Sequence, residues 1–191
     1  MHVAMILGSP RKQGNTATIL DAVKQELTKM GHSSERIDVI AFEVNGCLGC
    51  NACRALKETP GCVQKDDAIQ LFKKLIASDA VVYGTSLYTY GFPAQMKALI
   101  DRQYCLVTGY GTPEFHSWLK GKPSLLMVCC GGPEEDNADL IQQVFQREGR
   151  FQEWDVRESV IVPACGAPED LGIRLADTAR RVVNALLGSI S

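Results

Sequence analysis

The sequence has no apolar run that approaches the roughly 20 residues needed to cross a bilayer, and no basic, apolar leader precedes its first strand-like segment. We therefore expect a cytoplasmic protein that does not enter a membrane. An excess of basic charge is also missing, because 20 lysine and arginine residues are set against 22 acidic residues, for a net charge of −2. This balance argues against nucleic acid or an anionic membrane surface as a partner.

Two familiar nucleotide-binding motifs and a paired histidine are absent as well. No Gly-Lys-Ser/Thr sequence ends a Walker loop, and no Gly-x-Gly-x-x-Gly fingerprint follows a strand. The three histidines, His2, His32 and His116, are scattered along the chain. The sequence therefore gives no side chain that we can assign as a catalytic acid, base or nucleophile.

The chain does contain a regular alternation of apolar strands and amphipathic helices. This pattern predicts a parallel α/β sheet that is covered by helices on both faces. The special loops after the first, third and fourth strands favour the flavodoxin-like strand order 2-1-3-4-5, with the binding site at the carboxyl ends of the strands. The predicted strands are at 3–7, 36–40, 80–83, 124–130 and 159–162, and helices are predicted at 16–30, from 66, from 93, at 137–150 and at 171–187.

One of these helices is predicted to bury four apolar residues, Leu140, Ile141, Val144 and Phe145. No linker, repeat or low-complexity stretch interrupts the chain. We therefore predict a single domain over residues 1–191, with a cysteine-rich loop at residues 46–62.

The first strand runs into a turn that is rich in glycine and hydrogen-bonding residues, and a helical pattern begins at once. A helix N-terminus leaves backbone N–H groups unpaired and carries partial positive charge, which suits a phosphate. Gly8 and Gly14 allow a close backbone approach, while Ser9, Asn15 and Thr16 supply donors. Phosphate binding is favoured, and an ordinary turn with Asn15 or Thr16 as the N-cap is the alternative.

The loop after the third strand, residues 84–92, is predicted to lie beside this phosphate loop. It offers the hydroxyls of Thr85 and Ser86 and the rings of Tyr88 and Tyr90, which suit a flat ring ligand. The alternative is that both tyrosines are half-buried loop aromatics. The loop after the fourth strand, residues 129–133, is expected to close over the same ligand, with Cys129 and Cys130 as packing residues at the strand end.

Eight cysteines are unusual for a protein in a reducing compartment, where clustered thiols indicate metal or redox chemistry. A C-x-x-C-x-x-C run is typical of [4Fe–4S] ligation, and zinc also binds four thiolates. Free thiols or a disulfide remain open alternatives. Cys105 and Cys165 are interpreted as buried, unreactive thiols. The predicted metal ligands are Cys47, Cys50, Cys53 and Cys62.

Three motifs together resemble a known family. GSPRxxGNT at residues 8–16 resembles the phosphate loop of the NADPH-dependent FMN reductase family, and Tyr88 with PAQMKALIDR at residues 93–102 resembles its second flavin loop and the helix that follows. CxxCxxC at residues 47–53 resembles the iron–sulfur flavoprotein branch. This chain departs from the family at Ser86, where relatives often have proline, and at Gly91, which lies one place later than the usual loop glycine.

The resemblance implies a flavodoxin-like FMN-binding fold, with tightly bound FMN, in a homodimer or homotetramer. The implied function is an oxidoreductase that takes electrons from NAD(P)H and passes them to a flavin, quinone or other small acceptor. An alternative is an iron–sulfur electron carrier that relays single electrons from a ferredoxin-like partner. The implied FMN-binding residues are Ser9, Arg11, Gln13, Gly14, Asn15, Thr16, Thr85, Ser86, Leu87, Tyr88, Tyr90, Gly91, Gly131 and Gly132.

Overall fold

A computed structural model describes residues 1–56 and 58–188. Its main sheet is parallel and its helices lie on both faces, as the alternating pattern predicts. The strands are β1 (His2–Leu7), β2 (Ser33–Asp38), β3 (Ala80–Ser86), β4 (Val107–Thr108), β5 (His116–Ser117), β6 (Pro123–Cys129), β7 (Asp155–Val156) and β8 (Val160–Val162). The α-helices are α1 (Asn15–Lys29), α2 (Ala68–Ala77), α3 (Ala94–Arg102), α4 (Asp139–Phe151) and α5 (Arg174–Leu187).

The strand order across the main sheet is β2-β1-β3-β6, with β7 and β8 both paired to the outer side of β6. This confirms the predicted order 2-1-3-4-5, but the fifth strand is divided into two pieces. Ser124 pairs with Val156 and Met127 pairs with Val160, so residues 157–159 lie opposite only two residues of β6. The fifth strand therefore has one residue more than β6 over this stretch, and residues 157–159 belong to no strand.

Two apolar cores hold the layers together. One core packs β-strand residues such as Met5 and Val82 against α1 and α5, through Leu20 and Val182. The other packs the opposite face of the sheet against α2, α3 and α4, with Phe72 and Phe145 among its largest side chains. Successive strand residues point to opposite faces, and both faces are covered, so the central strands are continuously apolar.

The structure corrects the sequence prediction in two places. Leu140 and Val144 are exposed on α4, whereas Ile141 and Phe145 are buried, because the helix packs only one narrow face against the sheet. Residues 105–122, which contain no predicted strand, include the short antiparallel pair β4 and β5. In the described part of the chain, no helix is long and apolar enough to cross a membrane.

Candidate functional site

The carboxyl ends of β1, β3, β6 and β8 surround a cavity of about 120 Å³, which we call the strand-end cavity. Parallel strands end at the same edge of a sheet, so the loops that follow them meet there. The residues that line it are Ser9, Arg11, Gly14, Asn15, Thr16, Ser86, Leu87, Tyr88, Cys129, Cys130, Gly131, Cys165 and Gly166.

The phosphate loop delivers a helix N-terminus to this cavity. Gly14 is the N-cap of α1, and no side chain within the described residues caps the first turn. The first intrahelical bond is donated by the Thr18 N–H to the Gly14 carbonyl oxygen, at 3.0 Å. The N–H groups that precede it in α1 are therefore oriented toward the cavity with the positive end of the helix dipole, which is an anion site.

Two glycine contacts fix the position of this loop. The Gly8 N–H donates to the Gly84 carbonyl oxygen at 2.8 Å, which joins the ends of β1 and β3. A methyl group added at Gly8 would lie 2.8 Å from Cγ of Met96 on α3. The backbone at Gly8 is thus in direct contact with α3, and a larger residue does not fit there.

Two buried polar atoms beside the cavity have no hydrogen-bond partner among the described residues. They are Oδ1 of Asn15 and the hydroxyl oxygen of Ser86. A buried polar atom without a partner costs free energy, so native sites normally pair such atoms with a ligand, water or ion. Together with the uncapped helix, they give the cavity the polar groups that a phosphorylated ligand with hydroxyl groups requires.

The loop after β3 makes a tight two-residue turn at the mouth of the cavity. Tyr88 and Gly91 exchange two backbone hydrogen bonds, each 3.0 Å long. The two residues between them, Thr89 and Tyr90, both have positive φ, at 48° and 63°. Positive φ at both central positions is the type I′ pattern, and it is strained for a β-branched or bulky residue. Strained backbone of this kind is concentrated at binding sites.

The structure brings nine of the fourteen predicted FMN-binding residues to the cavity wall. Gln13 is exposed in the phosphate loop, and Thr85 is buried in β3, where its hydroxyl donates to the Ser86 carbonyl oxygen at 3.1 Å. Tyr90, Gly91 and Gly132 lie outside the lining. The functional assignment of all fourteen residues remains a prediction.

Three thiols also line the cavity, and the sequence did not indicate this role for them. Cys129 ends β6, Cys130 follows it, and Cys165 follows β8. Cys165 was expected to be buried and inert, but it is only half-buried. A hydrogen bond with the Cys129 thiol lowers the pKa of Cys165 to about 7. The sequence offered one signal for the position of Cys165, namely the predicted topology. The loop after the fifth strand begins at the carboxyl end of that strand, which lies at the same edge of the sheet as the cavity.

The four predicted metal ligands lie around a second, smaller hollow. Cys47, Cys50, Cys53 and Cys62 line a hollow of about 40 Å³, which we call the thiol hollow, together with Cys105. Burial, and negative charge on Cys62, raise the pKa of Cys53. All eight cysteines lie in the described part of the chain and are free thiols. Within residues 1–56 and 58–188, no three His, Cys, Asp or Glu side chains form a group that could hold a single metal ion.

Two arginines attach the cysteine segment to the rest of the protein. Arg102 Nη1 lies 2.6 Å from Oδ2 of Asp66, and both side chains are almost completely buried. Arg102 also donates to the Asn45 carbonyl oxygen at 2.9 Å. Arg54 donates to the Tyr104 hydroxyl at 2.6 and 2.8 Å, and its guanidinium lies over the Tyr110 ring. Cys105 is buried beside the ion pair of Arg102 and Asp66, and its burial raises the pKa of the Cys105 thiol to about 12.

Comparison with known proteins places this geometry in context. A model of the family described as NADPH-dependent FMN reductase matches residues 1–167. An iron-sulfur flavoprotein of Archaeoglobus fulgidus is 36% identical over 151 residues, which are 78% of this chain and 64% of the relative. The chain therefore spans slightly less than two thirds of that relative's length.

Solved structures at low identity share the fold. The NAD(P)H:quinone oxidoreductase from Methanothermobacter marburgensis has a TM-score of 0.74 at 19% identity, over 96% of this chain and 98% of that one. RosB, solved with bound 8-demethyl-8-formylriboflavin-5'-phosphate, has a TM-score of 0.70 at 15% identity, over 97% of this chain and 77% of that one. Both matches establish the same α/β architecture for this chain.

Proposed function

Since the chain belongs to the NADPH-dependent FMN reductase family, we propose that it binds FMN in the strand-end cavity and acts as an NAD(P)H-dependent oxidoreductase. The observation that carries this proposal is the N-terminus of α1, uncapped by any side chain in the described residues, beside a loop that presents Tyr88 to the same cavity. The electron acceptor we propose is a flavin, a quinone or another small molecule.

The residues divide into two groups along the cavity. Ser9, Arg11 and the first turn of α1 would hold the phosphate, because backbone N–H groups, a hydroxyl and a guanidinium converge there. Leu87, Tyr88 and Gly131 would border the ring system. Tyr88 is 39% exposed, so its ring is available to cover a flat ligand.

Bound FMN supplies the hydride and electron chemistry, and the protein supplies position and electrostatics. No acid or base side chain is required for that role, and we assign none. RosB, which shares the fold, was solved with a riboflavin-5'-phosphate derivative bound, which supports the choice of ligand class. A reducing compartment such as the cytoplasm suits the eight free thiols.

An iron–sulfur electron carrier is the second candidate, because four thiols line one hollow and a 36%-identical relative is named an iron-sulfur flavoprotein. Cys47, Cys50, Cys53 and Cys62 would hold a [4Fe–4S] cluster, which provides one-electron transfer. In that case a ferredoxin-like protein replaces nicotinamide as the electron donor. A homodimer or homotetramer is proposed for either function.

Flavin binding is tested by adding FMN to the purified chain and measuring retained flavin absorbance after gel filtration. We expect one FMN per chain, and we expect colourless but folded protein for Asn15→Ala with Thr16→Ala. Lys24→Ala, at an exposed position of α1 outside the cavity wall, is the matched control. Wild-type protein that retains no FMN contradicts the proposal.

The two candidate functions are separated by their electron donors. Steady oxidation of NADH or NADPH with added quinone supports the reductase. A flavin that is bleached by reduced ferredoxin but by neither nicotinamide supports the carrier. Iron and acid-labile sulfide, measured after anaerobic purification, test the cluster, and Cys62→Ser is expected to reduce both.

A further inference from the structure

Two cysteines meet at the floor of the strand-end cavity, outside the cysteine segment. Cys129 is the last residue of β6, and it pairs in register with Val162, the last residue of β8. Cys165 Sγ lies 3.2 Å from the Val162 carbonyl oxygen. Neighbouring strands are about 4.8 Å apart, so Cys129 lies beside Val162, and Cys129 and Cys165 line the same cavity.

The loop that carries Cys165 is held in place from several directions. The Cys165 N–H donates to the Cys130 carbonyl oxygen at 2.9 Å, and Arg174 donates to the Pro163 carbonyl oxygen at 3.2 Å. Ala164, between them, has a φ of 53°, which is strained for a residue with a side chain. A strained backbone that is fixed by its neighbours presents the Cys165 thiol in one position.

The two thiols have different chemical characters. Cys165 is half-buried and opens onto the cavity, whereas Cys129 is buried. Hydrogen bonding between the two thiols raises the pKa of Cys129 and lowers the pKa of Cys165. An accessible thiolate next to a thiol that can resolve it is the arrangement of redox-sensitive cysteines.

We propose that Cys165 and Cys129 form a peroxide-sensitive dithiol at the FMN-binding site, and that their oxidation to a disulfide weakens FMN binding. In the first step the Cys165 thiolate attacks hydrogen peroxide, which gives a sulfenic acid and hydroxide. The Cys129 thiol then attacks the Cys165 sulfur and releases water. Overall the two cysteines lose two electrons and two protons, and one peroxide becomes two waters.

The effect on FMN follows from what the Cys165 loop touches and rests on the proposed function. The amide of Asn15, at the start of α1, donates to the Gly166 carbonyl oxygen at 2.8 Å. Bringing the sulfur of Cys165 to bonding distance of Cys129 displaces Gly166, which is the next residue. Asn15 then loses this anchor, and the first turn of α1 is no longer held in its phosphate-binding position.

The dithiol is tested by mass spectrometry of the purified chain of residues 1–191, treated with hydrogen peroxide and digested with trypsin without reduction. Trypsin places Cys129 and Cys130 in the peptide of residues 121–147 and Cys165 in the peptide of residues 158–174. We expect these two peptides to be linked, with the loss of two hydrogens. The link is expected to disappear in Cys129→Ser and in Cys165→Ser.

Cys130→Ser is the matched control, because Cys130 neighbours Cys129 but its sulfur lies 3.5 Å from the Gly132 carbonyl oxygen, on the adjoining loop. It is expected to keep the link. Absence of the link in oxidised wild-type protein, or a link that is lost in Cys130→Ser and kept in Cys129→Ser, overturns the proposal. This readout does not depend on flavin, so a failure of FMN binding is distinguished from a failure of the dithiol.

The effect on binding is measured by titrating FMN into the reduced and the oxidised chain. We expect the Kd for FMN to rise at least about tenfold on oxidation. This factor corresponds to the loss of one hydrogen bond between the first turn of α1 and the charged phosphate. The Kd of Cys165→Ser is expected to be unchanged by the same treatment. A linked chain that binds FMN as tightly as the reduced chain overturns the regulatory part of the proposal.

Discussion

The strand-end cavity and the thiol hollow differ in what holds them. The walls of the cavity continue directly from β1, β3, β6 and β8, so a hydrogen-bonded sheet sets their positions. The hollow is formed mainly by the irregular segment between β2 and α2, which is attached through Arg102 and Arg54. A site fixed by a sheet tolerates the loss of single side chains, whereas a site held by a few side chains does not.

The largest expected effect is at the ion pair that anchors the hollow. Arg102→Met leaves the Asp66 carboxylate buried without its partner, and we expect a loss of about 3–5 kcal/mol in the free energy of unfolding. Lys97→Ala, which breaks the exposed pair with Asp101, is the control and is expected to cost about 0.5 kcal/mol or less. Urea unfolding measures both.

The double variant Arg102→Met with Asp66→Leu sharpens this test. Replacing both charges removes the unpaired carboxylate, so most of the lost stability is expected to return. If Arg102→Met alone lowers the free energy of unfolding by less than about 1 kcal/mol, the ion pair does not anchor the segment that forms the thiol hollow.

The same pair gives the next effect, a dependence of stability on pH. Hydrogen bonds from Arg102 hold the pKa of Asp66 at about 2, below its ordinary value of 3.8. Because the pKa is lower in the folded chain, the carboxylate stabilises the fold fully above about pH 4, and this contribution is lost as the pH falls toward 2. Urea midpoints across this range measure it.

We expect Asp66→Asn to remove this part of the pH dependence, while Asp101→Asn, at an exposed pair, retains it. Equal acid sensitivity in wild-type protein and Asp66→Asn would contradict the assignment.

A glycine in each region gives a direct comparison of packing. A methyl group at Gly8 would lie 2.8 Å from Met96, so Gly8→Ala is expected to cost about 1–3 kcal/mol. At Gly46, beside the thiol hollow, no described residue other than its chain neighbours has an atom within 4 Å of the added methyl group, and Gly46→Ala is expected to change stability by about 0.5 kcal/mol or less. Thermal and urea unfolding would show equal losses if the two regions were packed alike.

The smallest effect concerns the strained turn at the cavity mouth. Tyr90 has a φ of 63°, which glycine adopts readily, so Tyr90→Gly is expected to be more stable than Tyr90→Ala by about 1 kcal/mol. Both variants remove the ring, and their difference therefore isolates the backbone. Tyr90→Ala of equal or greater stability would show that the turn relaxes when the ring is removed.

Local patterns made the strand-end cavity predictable. The strand, the glycines and the helix start at residues 3–16 are contiguous, so their arrangement follows from the sequence. Leu140 and Val144 were misplaced because adjacent helix positions are about 100° apart, and only Ile141 and Phe145 face the sheet.

Contacts between distant residues were not predictable in this way. Asp66 and Arg102 are 36 residues apart, and neither carries a local signal that the other is its partner. The cavity position of Cys165 follows from sheet topology and from the register of β8 against β6, and not from any motif around the residue. The division of the fifth strand likewise follows from one extra residue, which apolar patterning does not reveal.

The bond from Asn15 to the Gly166 carbonyl oxygen joins residues that are 151 positions apart, and this has a consequence for synthesis. A ribosome that has made Asn15 must add 151 more residues before it reaches Gly166 in the loop that braces it. The amino-terminal half of the nascent chain therefore carries the loop without its brace. Capture of the cofactor in the cell is expected to wait until residue 166 has been made, so a pause between the two loops delays loading whatever the supply of flavin.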